Sequence, residues 1–355
     1  MAVVDTATSN GAQRTQIAPV ETIIPQSNFW DKYMMNGTPE LLPTRFVEWD
    51  YFVKGSPMAH FVGEGVTVPP TERPKFKTAQ IECPLYQYRK VLGLQDLAQR
   101  QVGEPHGSMP PAMFKTIQER AGKLEAEDDI ECVNAVAALR TKIICKFLFE
   151  GIVEVRGHGV NREIDYNLPN RIRLLGSNRW GQPGVDPIKD IRTWCELLED
   201  FGFNPVEIIM GRNPWNCIED NAKWIAQLDN LRTEKGRFAP EKAADYGNAA
   251  YMATLRDPFV DIYTQRSKYW DDISKTMVSH LPENTLIIVT EESKRNKFVY
   301  GAIDYMENGQ FRSVPGEFIK EVWHDDRAAT REIVVTSRAV PIPGNVHSWL
   351  VATVM

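Results

Sequence analysis

The stretch "KEVWHDDRAATREIVVTSRAVPIPG", Lys320–Gly344, decides how this chain is read. It carries a His324-Asp325-Asp326 triplet, then a β-branched run that stops at a proline-rich turn. As chemistry, an imidazole beside two carboxylates begins a hydrolytic metal site, with His158 and Asp165 as imaginable further ligands. As structure, the same residues connect two elements: an Asp caps a helical turn in "DDRAATRE", and "REIVVTSRAV" forms a strand. Adjacent strand residues point to opposite faces, so His324 and Asp325 converge only if they lie in a loop.

Working outward, other catalytic signatures fail to appear. There is no GxxxxGK[ST], HExxH or GxSxG motif, and none of the five cysteines forms a CxxC pair. The six histidines, His60, His106, His158, His280, His324 and His347, lack ligand-like spacing. "VEVRGHGVN" offers Gly157-x-Gly159 after a strand, but a third glycine and a following helix are missing, so a β-turn is expected. The basic cluster "NRIRLLGSNRW", with Arg171, Arg173, Arg179 and Trp180, is either a nucleic-acid contact or a solvated or inter-subunit face.

Composition narrows the field. The chain has 355 residues, 43% hydrophobic and 25% charged, as in an ordinary globular protein long enough for two or three domains. A formal net charge of −6 speaks against a dedicated nucleic-acid binder. The first residues lack the pattern of a signal peptide, and no run of about 18 apolar residues suggests a membrane span. The cysteines are therefore expected to be reduced thiols.

Residues 1 to about 45 are rich in Thr, Ser, Asn, Gln and Pro, which predicts an extended arm. Its one aromatic cluster, "SNFWDKYM", supplies Phe29, Trp30 and Tyr33 as anchors for this chain or a neighbour. Val47, Trp49, Tyr51 and Val53 then alternate with Glu48, Asp50 and Lys54, the period of a half-buried strand. Arg73–Cys83 returns after the tip "GEGVTVPPTE". Such a two-stranded ribbon is only marginally stable alone and implies outside support. From Met109 to about Glu150 the apolar spacing predicts one helix of about 60 Å, with Ser108 as N-cap and "EAEDD" most simply a solvated face, or else a surface that meets a partner. Residues from about 185 to 315 mix strands and helices, including a helix opened by Asp186-Pro187. The end gives two strands separated by "PIPG". An arm, an unsupported ribbon, a strut helix and a compact mixed unit together point to obligatory assembly, because the missing burial must come from neighbours.

The order of these parts carries a resemblance. "SNFWDKYM", "RPKFKTAQIECPLYQYRKVLGLQDL", "REIDYNLP", "NPWNCIEDNAKWIAQLDNLR", "LPENTLIIV" and "EVWHDDRAATREIVVTSRAVPIPG" make the chain similar to the lambda (gpE-like) family of tailed-phage major capsid proteins. The resemblance implies an α+β fold of the HK97 type. Residues 1–46 would be the N-terminal arm and 47–84 the E-loop. Residues 85–160 would form the P-domain around the spine helix (about 109–150), completed by 318–341. Residues 161–317, completed by 342–355, would form the A-domain.

It further implies a structural protein of the virion, assembled in the host bacterial cytoplasm. The subunit would form hexamers and pentamers of an icosahedral shell around double-stranded DNA, without sequence-specific binding and without a membrane. A separate scaffold, a portal and a cement or decoration protein would be partners. Phe29, Trp30, Tyr33, Trp49, Tyr51, Lys54, Arg73 and Lys75 would lie at subunit interfaces. No catalytic residue, cofactor or metal is expected, and the triplet at 324–326 becomes a junction. A metal-dependent hydrolase and a nucleic-acid-binding module remain the rivals.

Overall fold

The computed structural model describes residues 12–14, 29–34, 39–51, 77–98, 117–221, 249–256, 258–271, 275–307 and 309–355. Two six-stranded sheets and one long helix organise these residues. The central sheet runs in the order Ala249–Arg256, Phe259–Gln265, Pro205–Met210, Thr285–Thr290, Trp349–Thr353, Arg171–Arg173. Its pairings mix directions: 259–265 with 205–210 and 349–353 with 171–173 are parallel, and the others are antiparallel.

The apolar runs "VEIIMG" and "TLIIVT" explain its place in the middle. A strand turns successive side chains to opposite faces, so a continuous apolar run needs cover on both. Ile208, Met210, Leu286, Ile288, Leu350 and Ala352 face one core with the helices Pro187–Asp200 and Arg212–Glu219. Ile188, Ile191, Cys195 and Leu198, three and four apart, form the buried stripe of the first helix. As expected from Asp186-Pro187, the Asp186 carboxylate accepts the Ile188 N–H at 3.3 Å and Pro187 opens the helix. The alternate residues Ile209, Tyr263, Ile287, Val289, Trp349 and Val351 face a second core.

The long helix, Ile117–Glu150, is about 51 Å long at 1.5 Å per residue. Residues 109–116 of the expected helix lie outside the described residues. Its middle lays Cys132, Val133 and Val136 on Val322, Ile333 and Val335 of the second sheet. Its last turns carry Ile143, Ile144, Phe147, Leu148 and Phe149 into the core beneath the central sheet. There Trp349 Nε1 donates to the Leu148 carbonyl at 3.1 Å, tying helix end to sheet. The helix stops at Gly151, whose φ of 65° is left-handed and whose absent Cβ would lie 2.7 Å from Leu168 Cβ.

The second sheet is built on the 13-residue strand Thr330–Ile342. Ile319–Asp325 and Leu85–Gly93 pair with its first part, and Lys297–Tyr300 with its last residues. Residues Ala12–Arg14 add an edge strand on Ile319–Asp325, and Glu40–Leu41 pairs in parallel with Lys297–Tyr300. The "EAEDD" segment is not the solvated face expected from its charge. Arg331 reaches Glu125 at 2.6 Å, Lys90 reaches Asp128 at 2.8 Å, and Lys320 pairs with Asp129. These cations come from three strands of the second sheet and make an ionic seam between helix and sheet.

Four two-stranded ribbons complete the described residues: 46–51 with 77–82, 152–157 with 160–165, 268–271 with 276–279, and 302–307 with 310–315. The first matches the expected ribbon at its base, with Trp49 opposite Ala79. The second has the turn expected at "RGHGVN", with Gly159 at φ 82°.

Candidate assembly surfaces

Three of the aromatic residues expected at subunit interfaces are buried in the chain's own core. Phe29–Tyr33 forms a single short 3-10 turn in which Trp30 and Tyr33 are fully buried. Trp30 packs edge-on against Phe149 of the long helix at 5.2 Å, and Phe29 meets Tyr263 of the central sheet at 6.1 Å. The sequence marked these residues as anchors, and the anchorage is internal. Within the chain, the apolar surface of Phe29, Trp30 and Tyr33 is covered.

Polar contacts fix the same turn. Asp31 accepts from Arg140 of the long helix at 2.8 Å. Lys32 reaches Glu207 of the central sheet at 2.8 Å, Tyr33 OH donates to the same carboxylate, and Lys294 lies 3.6 Å away. Lys32 Nζ also sits 4.4–4.9 Å from the ring centroids of Phe29, Tyr33 and Tyr263. Burial pushes the Glu207 carboxyl up, but Lys32, its hydrogen bond, Tyr33 and Lys294 together hold it below the usual carboxylate range. Glu207, Arg140 and Lys294 were not singled out from the sequence. Each lies more than 100 positions from the turn, and nothing local signals the contact.

The remaining interface candidates divide. Trp49 is half-buried, packed on the core edge with its ring 6.2 Å from Tyr166. Tyr51 pairs through its backbone with Lys77. Lys54, Arg73 and Lys75 lie outside the described residues. The structure adds exposed apolar residues that the sequence reading passed over. Phe46, at the root of the first ribbon, is 53% exposed, and Phe311 in the ribbon 302–315 is 86% exposed. Met306 stands opposite Phe311, and cross-strand partners share a face, so the two form an apolar patch near the tip. Every residue of the strand Gln310–Pro315 is exposed.

The triplet at 324–326 is a hairpin corner. Ile319–Asp325 and Thr330–Ile342 run antiparallel, with Asp325 opposite Thr330. Asp325 Oδ1 accepts the N–H groups of Arg327 at 2.9 Å and Ala328 at 3.2 Å, and Ala329 closes the turn at φ 51°. The helical turn expected in "DDRAATRE" is thus a tight turn held by an Asp side chain. His324 pairs across the strands with Arg331. Burial, then the Arg331 cation, lower its pKa. Among the described residues, no group of three His, Cys, Asp or Glu side chains is placed to hold a metal.

The basic cluster also resolves. Arg171 and Arg173 project from the edge strand of the central sheet, and Ile172 between them packs on the core. Trp180 is no stacking platform: it is 2% exposed, stacked on Trp194 and donating to Asp190 at 2.9 Å. The five cysteines are free thiols, four of them buried. No helix among the described residues is long and apolar enough to cross a membrane.

Against this geometry, the family described as "Phage major capsid protein E" matches residues 13–354. The chain belongs to that family. No curated protein matches the sequence. Among solved structures, the chain is similar to a prophage protein of E. coli CFT073 described as a capsid protein. The TM-score is 0.57 at 16% identity, covering 79% of this chain and 80% of the other. It also resembles the capsid asymmetric unit of cyanophage A-1(L), at 10% identity and TM-score 0.49 over 97% and 96% of the chains. The capsid of cyanophage P-SCSP1u gives 9% identity and 0.48 over 96% and 91%. The first likeness shows the fold, and the family gives the role. The capsid protein has the α+β HK97-type fold, and its task in the phage virion is structural.

Proposed function

We propose that this capsid protein closes into an icosahedral shell of hexamers and pentamers around double-stranded DNA, and that its projecting ribbons are the ties between subunits. The carrying observation is the contrast in burial along the chain: a self-sufficient double core bears ribbons whose large apolar residues, Phe46 and Phe311, face solvent. Exposed aromatic residues on narrow ribbons are surfaces that a partner covers. In this reading residues 1–46 are the N-terminal arm, 47–84 the E-loop, 85–160 with 318–341 the P-domain, and 161–317 with 342–355 the A-domain. Trp49, Tyr51, Lys54, Arg73 and Lys75 belong to the E-loop contact with a neighbour, and backbone hydrogen bonds along exposed strand edges add to it.

The net charge of −6 fits a container that releases its DNA, because a strongly basic lining would hold it. A separate scaffold, a portal and a cement or decoration protein complete the assembly, which takes place in the host cytoplasm. Maturation of the shell is a rotation of packed domains with the arm and E-loop as adjustable ties. His324, Asp325 and Asp326 carry no chemistry in this reading, and packaged DNA is enclosed without sequence-specific contacts.

The test is assembly itself. The chain expressed with a scaffold is expected to give rings or closed shells in negative-stain micrographs and a fast-sedimenting fraction. A monodisperse monomer under those conditions would overturn the proposal. Hydrolysis dependent on a divalent ion and on His324 would favour the enzymatic rival instead.

A further inference from the structure

Between the end of the long helix and the ribbon 268–271/276–279 lies a cleft of about 410 Å³. Its floor is Cys145 and Phe149, both buried members of the core beneath the central sheet. Its mouth is open to solvent, because Lys268, Met277, Pro282 and Glu283 line it and are exposed. Lys142 and Lys146, one helical turn apart, line the side. Lys142 Nζ stands 4.9 Å from the ring centroid of Tyr269, whose ring in turn meets His280 at 4.9 Å. Burial, then the Lys142 cation, push the His280 imidazole down to about 4, so the cleft repels a further positive charge. Three ammonium groups thus line it against two carboxylates, Glu150 and Glu283, and Glu150 is already paired with Lys146. Lys268 forms no ion pair among the described residues.

The same chain carries a surface of opposite sign. The helix Pro187–Asp200 ends in "ELLEDF", with Glu196, Glu199 and Asp200 exposed and no basic residue in its last turn. Carboxylates there oppose the helix dipole, so the helix alone gives no reason for them. None of the three forms an ion pair among the described residues. Phe201, the C-cap, adds a ring that is 51% exposed. This helix packs on one face of the central sheet, whereas the floor of the cleft belongs to the core on the other face. A subunit therefore does not bring its own helix end to its own cleft.

We infer that the cleft receives the acidic helix end, residues 196–201, of a second copy of this chain. The charges are complementary: carboxylates without partners on one side, an excess of ammonium groups on the other. The exposed Phe201 ring suits a cleft walled by Tyr269, Met277 and Val278. Donor and receiver are different surfaces on opposite sides of one sheet, so the contact is heterologous. Repeated around an axis, a heterologous contact closes into a ring. The inference rests on the shell-forming reading and names one contact within its hexamers and pentamers.

Charge reversal tests it on both sides. Lys268→Glu reverses the cleft, and Glu199→Lys with Asp200→Lys reverses the helix end. All three positions are exposed, so neither change is expected to lower the melting temperature of the unassembled subunit. Each alone is expected to lower the shell fraction by about tenfold or more, and the combination should recover it. Lys268→Ala should give an intermediate loss. Shells at the wild-type yield from both reversals, or no recovery on combining them, would overturn the inference. Loss with Lys268→Glu but normal shells from the helix-end variant would assign the cleft to another acidic chain and overturn the second copy as occupant. Lys268-dependent stabilisation by sodium phosphate, together with normal shells from both variants, would assign it to a free oxyanion instead. Absence of shells from the wild-type chain would break the shell-forming reading, and sedimentation of the subunit at rising concentration would still decide on the contact. Self-association weakened by sodium chloride and by Lys268→Glu, and recovered in the combined variant, would support it. A monomer at every concentration would overturn it.

Discussion

Trp30 and Phe311 are both large aromatic residues on short excursions of the chain, and they end in opposite environments. Trp30 is 0% exposed and Phe311 is 86% exposed. The turn carrying Trp30 is enclosed by the last turns of the long helix and by the central sheet, with Asp31, Lys32 and Tyr33 each holding a polar partner across that boundary. Among the described residues, the strand carrying Phe311 pairs only with its own hairpin partner. The difference separates two uses of an aromatic side chain in one subunit. One closes a core of the described residues, and the other is exposed and, in the function proposed above, is covered by a neighbour.

The comparison can be broken most severely at Trp30. Trp30→Ala would leave a cavity between Phe29, Tyr33 and Phe149, and we expect a loss of about 3–5 kcal/mol in urea unfolding of the unassembled subunit. A loss below about 1 kcal/mol would mean that the turn is not part of the monomer's core.

A smaller effect is expected at the carboxylate beneath the turn. Glu207→Gln keeps the shape and weakens the bonds from Lys32 and Tyr33, for a loss of about 1–3 kcal/mol at neutral pH. The Glu207 pKa is lowered in the folded chain, so its contribution is complete above the ordinary carboxylate value of 4.5 and disappears as pH falls through the folded value. Stability curves of Glu207→Gln and wild type should therefore converge below that pH. Parallel curves down to the acid limit would show that Glu207 does not hold the turn by its charge.

Asp325→Ala comes next. It removes two backbone acceptor contacts at the hairpin corner, and about 1 kcal/mol should be lost, with no change in divalent-ion binding by calorimetry. Loss of measurable metal affinity would revive the hydrolase reading. The smallest effect on the subunit is expected at Phe311. Phe311→Ser should alter its stability by no more than about 0.5 kcal/mol while reducing shell yield, and unchanged yield would remove this ribbon from the set of ties.

Much of the fold was legible because it is written in local periods. Alternation at 47–51 and the Asp186-Pro187 helix start both lie where the pattern places them. The long-range pairings were not legible. "SNFWDKYM" advertises an anchor but not its berth, because Glu207 and Arg140 are brought to it only by the tertiary fold. For the same reason "EAEDD" read as solvated: its partners Lys90, Lys320 and Arg331 come from distant strands. His324-Asp325-Asp326 was ambiguous between cap and ligand until the antiparallel register showed Asp325 turning onto its own backbone.

Hydrogen exchange compared between unassembled subunit and assembled shell addresses both halves of the comparison at once. We expect amides of residues 205–210, 285–290 and 29–34 to be protected in both states. Those of the ribbons 46–51, 77–82 and 302–315 should exchange rapidly in the subunit and become protected only in the shell. Ribbons equally protected in the two states, or a turn at 29–34 that gains protection only on assembly, would contradict the division between a self-sufficient core and ties completed by neighbours.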